Sequence, residues 1–155
     1  MHLENSIVID SDAHTIYGLA ADIEHWPAIL PHYRSVTIVE RWDNGLVAKM
    51  SAWRTGIPVS WTAEQHVDPS TPRIRFEHIG GFTKGMEVEW RFEPGEDVAN
   101  GGGPTKVTIW HGLTAEKFGL RGWLIEHIVA SVFIDHIATK TLMTMKGLAE
   151  RHDRP

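Results

Sequence analysis

The sequence predicts an α+β fold, a curved antiparallel sheet of about seven strands wrapped around one long C-terminal helix, with two short helices after the first strand. Three observations carry this. Between residues 32 and 115, six segments alternate apolar and polar side chains and are separated by turn-forming residues. The stretch before them is broken into short helical pieces by a capping site and two prolines, Pro27 and Pro31. The last stretch, about 121–151, has no proline and is dense in Leu, Ile, Ala and Met.

The opening segment reads as the first strand, with Ile7 and Ile9 alternating against Val8 and Asp10. Ser11 or Asp12 can cap a helix running to about Ala21, because either side chain can accept from the free amides of the first turn. A second short helix spans Ile23 to Leu30 and stops before Pro31. The six strands follow: Tyr33 to Trp42, Leu46 to Arg54, Val59 to Val67, Arg73 to His78, Gly85 to Glu93 and Lys106 to Thr114. Asp43-Asn44-Gly45, Thr55-Gly56-Ile57-Pro58 and Asp68-Pro69-Ser70 supply the first turns, and Asn and Gly tolerate the positive φ that tight hairpins require.

Alternation then assigns the faces. Trp61, Ala63, Gln65 and Val67 share one side of their strand, as do Ile74, Phe76 and His78, then Met86, Val88, Trp90 and Phe92, then Val107, Ile109, His111 and Leu113. The inner face therefore mixes large hydrophobes with three polar groups, Gln65, His78 and His111, which suits a pocket better than a dry core. Of the seven tryptophans, Trp61 and Trp90 point inward, whereas Trp53 and Trp110 point outward and Trp42 lies near a turn.

On the long helix, Lys140, Lys146, Glu150 and Arg151 mark the solvent side of the C-terminal half. The opposite side collects Leu124, His127, Ser131, Ile134, Ala138, Leu142, Met145 and Leu148, and this face is predicted to close the cavity. Toward the N-terminal end the solvent-side stripe becomes apolar at Ile125, Val129, Val132 and Phe133. Such a stripe needs a cover, and a homodimer through these four residues is expected.

A chain of 155 residues reads as one domain, 1–155, with room for a core and a pocket. The net charge of −5 and the absence of a basic stripe argue against nucleic acid as a partner. No apolar run reaches the ~20 residues that span a bilayer, and no basic region followed by an apolar core opens the chain, so a cytoplasmic location is expected. With no cysteine there is neither a disulfide framework nor a thiol nucleophile. No metal site is expected, because Glu126-His127 and His136 are spaced too widely to share a helix face in a ligating pattern. The Gly101-Gly102-Gly103 run lies between strands rather than before a helix, which removes it as a phosphate-binding loop.

The segments NSIVIDSDAHTIYGLAADIEHWPAILPHYRSVTIVER, WTAEQHVDPSTPRIRFEHIGG and GMEVEWRFEP resemble polyketide cyclase/aromatase proteins and the related coenzyme Q-binding proteins of the START/Bet v 1-like (SRPBCC) superfamily. The resemblance covers nearly the whole chain. It implies a helix-grip fold with a cavity between sheet and helix, and a cofactor-independent cyclase or dehydratase acting on a poly-carbonyl chain. A non-catalytic carrier of a lipid or quinone is the alternative it implies. Trp26, Tyr33, Trp61 and Trp90 match the family's cavity aromatics. The chain departs from type II aromatase/cyclases at Gln65, where they hold an inward arginine, and at Ala63, where they hold a serine.

The candidate catalytic groups are thus His78 and His111 as acid and base, with Tyr33 and Gln65 as donors to a carbonyl or enolate oxygen. An imidazole titrating near 6.5 can take a proton from a methylene between two ketones and return it in dehydration. The competing assignment makes each histidine a core residue satisfied by a neighbouring hydroxyl or carbonyl. Candidate ligand-binding residues are Trp26, Met50, Trp61, Phe76 and Trp90, with Leu124, His127, Ser131, Asp135 and Leu142 from the long helix. The expected partner is a hydrophobic small molecule, with no cofactor.

Overall fold

Turn chemistry sets the strand pairing. Asn44 adopts φ 63°, and Thr55 and Gly56 adopt 51° and 80°, the paired left-handed conformation of a two-residue hairpin. Gly81 has φ 89°, and a Cβ there would lie 2.9 Å from the Ser60 carbonyl, so this crossing admits only glycine. In the computed structural model, described for residues 2–68, 70–81, 83–95, 104–112, 127 and 136–152, these turns join one antiparallel sheet. Its strands are β1 His2–Ile9, β2 Tyr33–Trp42, β3 Gly45–Arg54, β4 Ile57–Asp68, β5 Arg73–Gly81, β6 Glu87–Pro94 and β7 Thr105–Gly112.

The order is β1-β7-β6-β5-β4-β3-β2, so each strand from β3 on pairs with its predecessor and β1 adds to β7. Irregular register between Thr62 and Ala63, and at two points of β2, bends the sheet into the expected curve. Helix α1 (Ala13–Ala21) is capped by Asp12, whose carboxylate accepts from the Thr15 amide at 2.8 Å. A single 3-10 turn at Ile23–His25 leads into α2 (Trp26–Ile29), which carries Pro27 in its first turn. Helix α3 (Thr139–His152) follows a wider turn at 136–138, and His127 is helical as well. The predicted helix over 121–151 is therefore seen at these points, and the rest of it lies outside the described residues.

One predicted strand start moves. β6 begins at Glu87 rather than Gly85, because residues 83–86 fold back on β5: Lys84 donates to the Gly81 carbonyl, Gly85 to His78 and Met86 to Thr83. The inward faces are as alternation assigned them. Ile74, Phe76, Val88, Trp90, Phe92, Val107 and Ile109 are all buried, together with Gln65, His78 and His111. At its far end α3 is clasped to β1, where Lys146 donates to the Val8 carbonyl at 3.0 Å and Glu150 accepts from the Asp10 amide at 3.2 Å.

Candidate functional site

Beneath the strands, where α3 begins, the core does not close. Trp26, Tyr33, Met50, Trp61, Phe76, His78, Met86, Val88, Trp90, Ile109, His111, Ile137, Ala138 and Thr141 border a cavity of about 50 Å³. That volume admits a few water-sized molecules and falls well below the ~300 Å³ at which ligand pockets begin. Flat rings form most of the wall. Trp26 lies 5.0 Å from Tyr33, 6.0 Å from Trp90 and 6.2 Å from Phe76 between ring centroids. Its indole N–H is already spent on the Leu19 carbonyl at 3.1 Å, so the ring offers only an apolar face. A larger depression of about 290 Å³ on the outer side of β2, β3 and β4 is lined by Arg34, Lys49 and hydroxyl side chains. It faces solvent and contains none of the buried histidines, so the inner cavity is the chemical candidate.

Two histidines reach this cavity from different strands. His78 on β5 stacks parallel to Trp61, 5.7 Å away and 3° from coplanar, while its Nδ1 lies 2.7 Å from the Thr83 hydroxyl. Thr83 is fully buried in the 83–86 turn, so the fold-back that shortens β6 also fixes this ring. His111 on β7 is buried too, but its Nδ1 has no hydrogen-bond partner among the described residues. Burial pushes His78 down to about 3, helped by the neighbouring His111, and pushes His111 down to about 4. Both rings are neutral at pH 7, and the expected titration near 6.5 is corrected accordingly.

Tyr33 opens β2 at the other wall. Burial raises its phenol above the usual tyrosine range, opposed in part by the Thr141 hydroxyl. The Thr141 hydroxyl donates to the Ile137 carbonyl at 2.7 Å and lies 2.8 Å from His32 Nε2. His32 is buried behind Tyr33, with ring centroids 5.0 Å apart, and is pushed down to about 4 by burial and by Lys140 and His136.

Of the predicted site residues, Tyr33, His78, His111, Trp26, Met50, Trp61, Phe76 and Trp90 all border the cavity. Gln65 does not. It is buried, but its amide donates to the Ala21 carbonyl at 2.9 Å, so it closes the end of α1 instead of facing a ligand. Leu142 is buried without bordering the cavity, because the helix turns Ile137, Ala138 and Thr141 toward it. His127 is exposed rather than inward. Leu124, Ser131 and Asp135, and the stripe Ile125, Val129, Val132 and Phe133, lie outside the described residues. Sequence reasoning missed His32, Thr83 and Thr141. Each sits beside a turn or on a helix, where a lone hydroxyl or imidazole breaks no pattern. Among the described residues no three His, Asp or Glu converge as metal ligands, and no helix is long and apolar enough to cross a membrane.

Relatives bear on this architecture directly. Residues 9–138 match the family described as polyketide cyclase / dehydrase and lipid transport. The chain is 27% identical over 145 residues to the actinorhodin polyketide synthase bifunctional cyclase/dehydratase of Streptomyces coelicolor, covering 92% of this chain and 42% of that protein. Zhui aromatase/cyclase from Streptomyces sp. R1128 superposes with a TM-score of 0.81 at 20% identity, over 99% of this chain and 96% of the other. The di-domain ARO/CYC BexL of the BE-7585A biosynthetic pathway gives a TM-score of 0.73 at 26% identity, over 100% of this chain and 48% of the other. The chain thus spans about half the length of the bifunctional and di-domain relatives. Zhui aromatase/cyclase shares this chain's fold, and the match over 9–138 shows that the chain belongs to the polyketide cyclase / dehydrase and lipid transport family.

Proposed function

We propose that the cavity takes up a poly-carbonyl or aromatic ligand and promotes its aldol cyclisation and dehydration without a cofactor. The observation that carries this reading is His111, a buried imidazole at the cavity wall whose Nδ1 has no partner among the described residues. Leaving such a nitrogen unpaired costs about 1–3 kcal/mol, which a ligand oxygen at that position recovers. The neutral rings of His78 and His111 hydrogen-bond a ligand oxygen without bringing fixed charge. When a proton leaves the methylene between two carbonyls, the resulting enolate favours the imidazolium and draws the ring's proton affinity back up. The enolate carbon then attacks a second carbonyl, the imidazolium returns its proton to the alkoxide, and water leaves in the dehydration. The aromatic wall made by Trp26, Trp61 and Trp90 holds a flat chain in register for ring closure.

A second reading, a non-catalytic carrier of a lipid- or quinone-like molecule, is favoured by Gln65. Its amide is committed to Ala21, so that wall offers no charge to a developing enolate. Assembly as a homodimer through Ile125, Val129, Val132 and Phe133 and a cytoplasmic location belong to the same proposal on sequence grounds. The test is His111→Phe. Removing the orphaned nitrogen leaves stability within about 1 kcal/mol of wild type or raises it, while ring formation from a synthetic poly-β-ketone, followed by absorbance of the aromatic product, falls at least a hundredfold. An unchanged rate removes the acid/base role. No turnover by wild type, together with an apolar molecule co-purifying in native mass spectrometry, selects the carrier.

A further inference from the structure

The outer face of the sheet carries a cluster of hydrogen-bond donors that the cavity chemistry does not use. On β2, β3 and β4 the strand register sets outward side chains in two adjacent rows, Ser35–Ser51–Ser60 and Thr37–Lys49–Thr62. All six border the depression of about 290 Å³, together with Arg34. Neighbouring strands stand about 5 Å apart, so side chains of both rows can reach the oxygens of one small ligand. Donors are in surplus. Ser60 gives its proton to Ser51 at 3.2 Å, which leaves the proton of the buried Ser51 without an acceptor among the described residues. Arg34 rests over the Trp53 ring, 5.5 Å from its centroid, a contact that steadies the guanidinium without consuming its N–H groups. Among the described residues neither Arg34 nor Lys49 pairs with a carboxylate, and no residue lining the depression is acidic.

The acids stand outside it. Glu40 and Glu64 flank Val47 in the next row, with Glu64 3.9 Å from His66, and Glu77, Glu87 and Glu89 border a separate depression of about 210 Å³. In a chain of net charge −5, this face therefore draws an anion to one place, while the neighbouring acids repel one that is extended. We propose that the depression binds a phosphate monoester dianion, held by Arg34 and Lys49 and by the Ser51 and Thr62 hydroxyls. Two positive charges match the dianion. A tetrahedral phosphate has oxygens enough for the guanidinium fork, the ammonium and the hydroxyls together, where a carboxylate has two. The site stands apart from the cavity reading, although Met50 and Trp61 border both spaces, so that one thickness of sheet separates them.

The probe is inorganic phosphate at pH 8, titrated into the purified protein and followed through the backbone amides of Ser51 and Thr62 by nitrogen-15 NMR, with acetate at equal ionic strength for comparison. Saturable shifts are expected, with phosphate at least about tenfold tighter than acetate. Lys49→Met and Arg34→Met, both at exposed positions, should each weaken phosphate roughly tenfold, and Thr37→Glu, which sets a carboxylate in the depression, should abolish binding. Lys106→Met removes the same charge from an exposed position on β7 and should stay within about twofold of wild type. Absent saturation, acetate binding as tightly as phosphate, or an equal loss in Lys106→Met overturns the proposal. Sedimentation with phosphatidylcholine vesicles containing phosphatidic acid identifies the source. Binding that Lys49→Met removes makes the phosphate a lipid headgroup, and phosphate binding without sedimentation makes it a soluble ester.

Discussion

Where α3 crosses β1, Met145 and Ala149 pack in one cluster with Ile9 and Ile16, and none of the four retains exposed surface. Two turns earlier the same helix sets Ile137, Ala138 and Thr141 against Trp26, Tyr33 and Trp61, and a gap remains. The difference lies in the shapes and polar atoms of the side chains. Branched and flexible aliphatic groups interdigitate to crystal-like density. Indole, phenol and imidazole rings are rigid plates that meet at large angles, 65° for Trp26 against Tyr33, and leave wedges between them. His111, whose Nδ1 has no hydrogen-bond partner among the described residues, borders this same gap.

Acid separates the two halves most strongly. His78, His111 and His32 all belong to the cavity end and are depressed to about 3, 4 and 4, against about 6.5 for an unfolded imidazole. Above pH 6.5 neither state is protonated at these rings and the native state has their full contribution. As the pH falls from 6.5 toward 4 the unfolded chain takes up protons that the native chain refuses, so stability declines, and it levels off below the folded values. Denaturant titrations at pH 7 and pH 5 should differ by on the order of several kcal/mol. A His78→Phe, His111→Phe double variant should flatten that slope, and a slope unchanged by it would place the acid sensitivity elsewhere.

A matched pair of truncations tests the packing contrast next. Met145→Ala empties a site with no free volume beside it and should cost about 2–5 kcal/mol. The same change at Met50, which already borders the cavity, should cost less than half as much. Equal losses by chemical denaturation would mean that both ends are packed alike. The smallest effect is expected at the clasp. Glu150→Gln weakens a partly exposed contact with Lys146 and Asp10 and should change stability by under ~1 kcal/mol, with ligand affinity unaffected.

Alternation made the sheet legible, because a half-buried strand must place every second side chain on the core. The inward assignment of Trp61, Phe76, His78, Trp90 and His111 needed nothing more. Hydrogen-bond destinations were not legible. Gln65 sits at an inward position, and only the three-dimensional return of α1 shows that the Ala21 carbonyl claims its amide. His32 and Thr141 gain their roles from a contact between elements 109 residues apart, which no local spacing encodes. On the helix, Ala138 borders the cavity as assigned, Thr141 does so in place of Leu142, and His127, assigned to the same face, is exposed.

The clasp between α3 and β1 has a mechanical consequence. A 14-residue helix is roughly 21 Å long, and this one is fastened at the end remote from the rings. It can therefore behave as a lever pivoting on Lys146 and Glu150. A swing of about 10° there carries Thr139 through about 2 Å, by the same helix geometry. A tilt of that size would widen the gap at the rings while Met145 and Ala149, close to the pivot, move least.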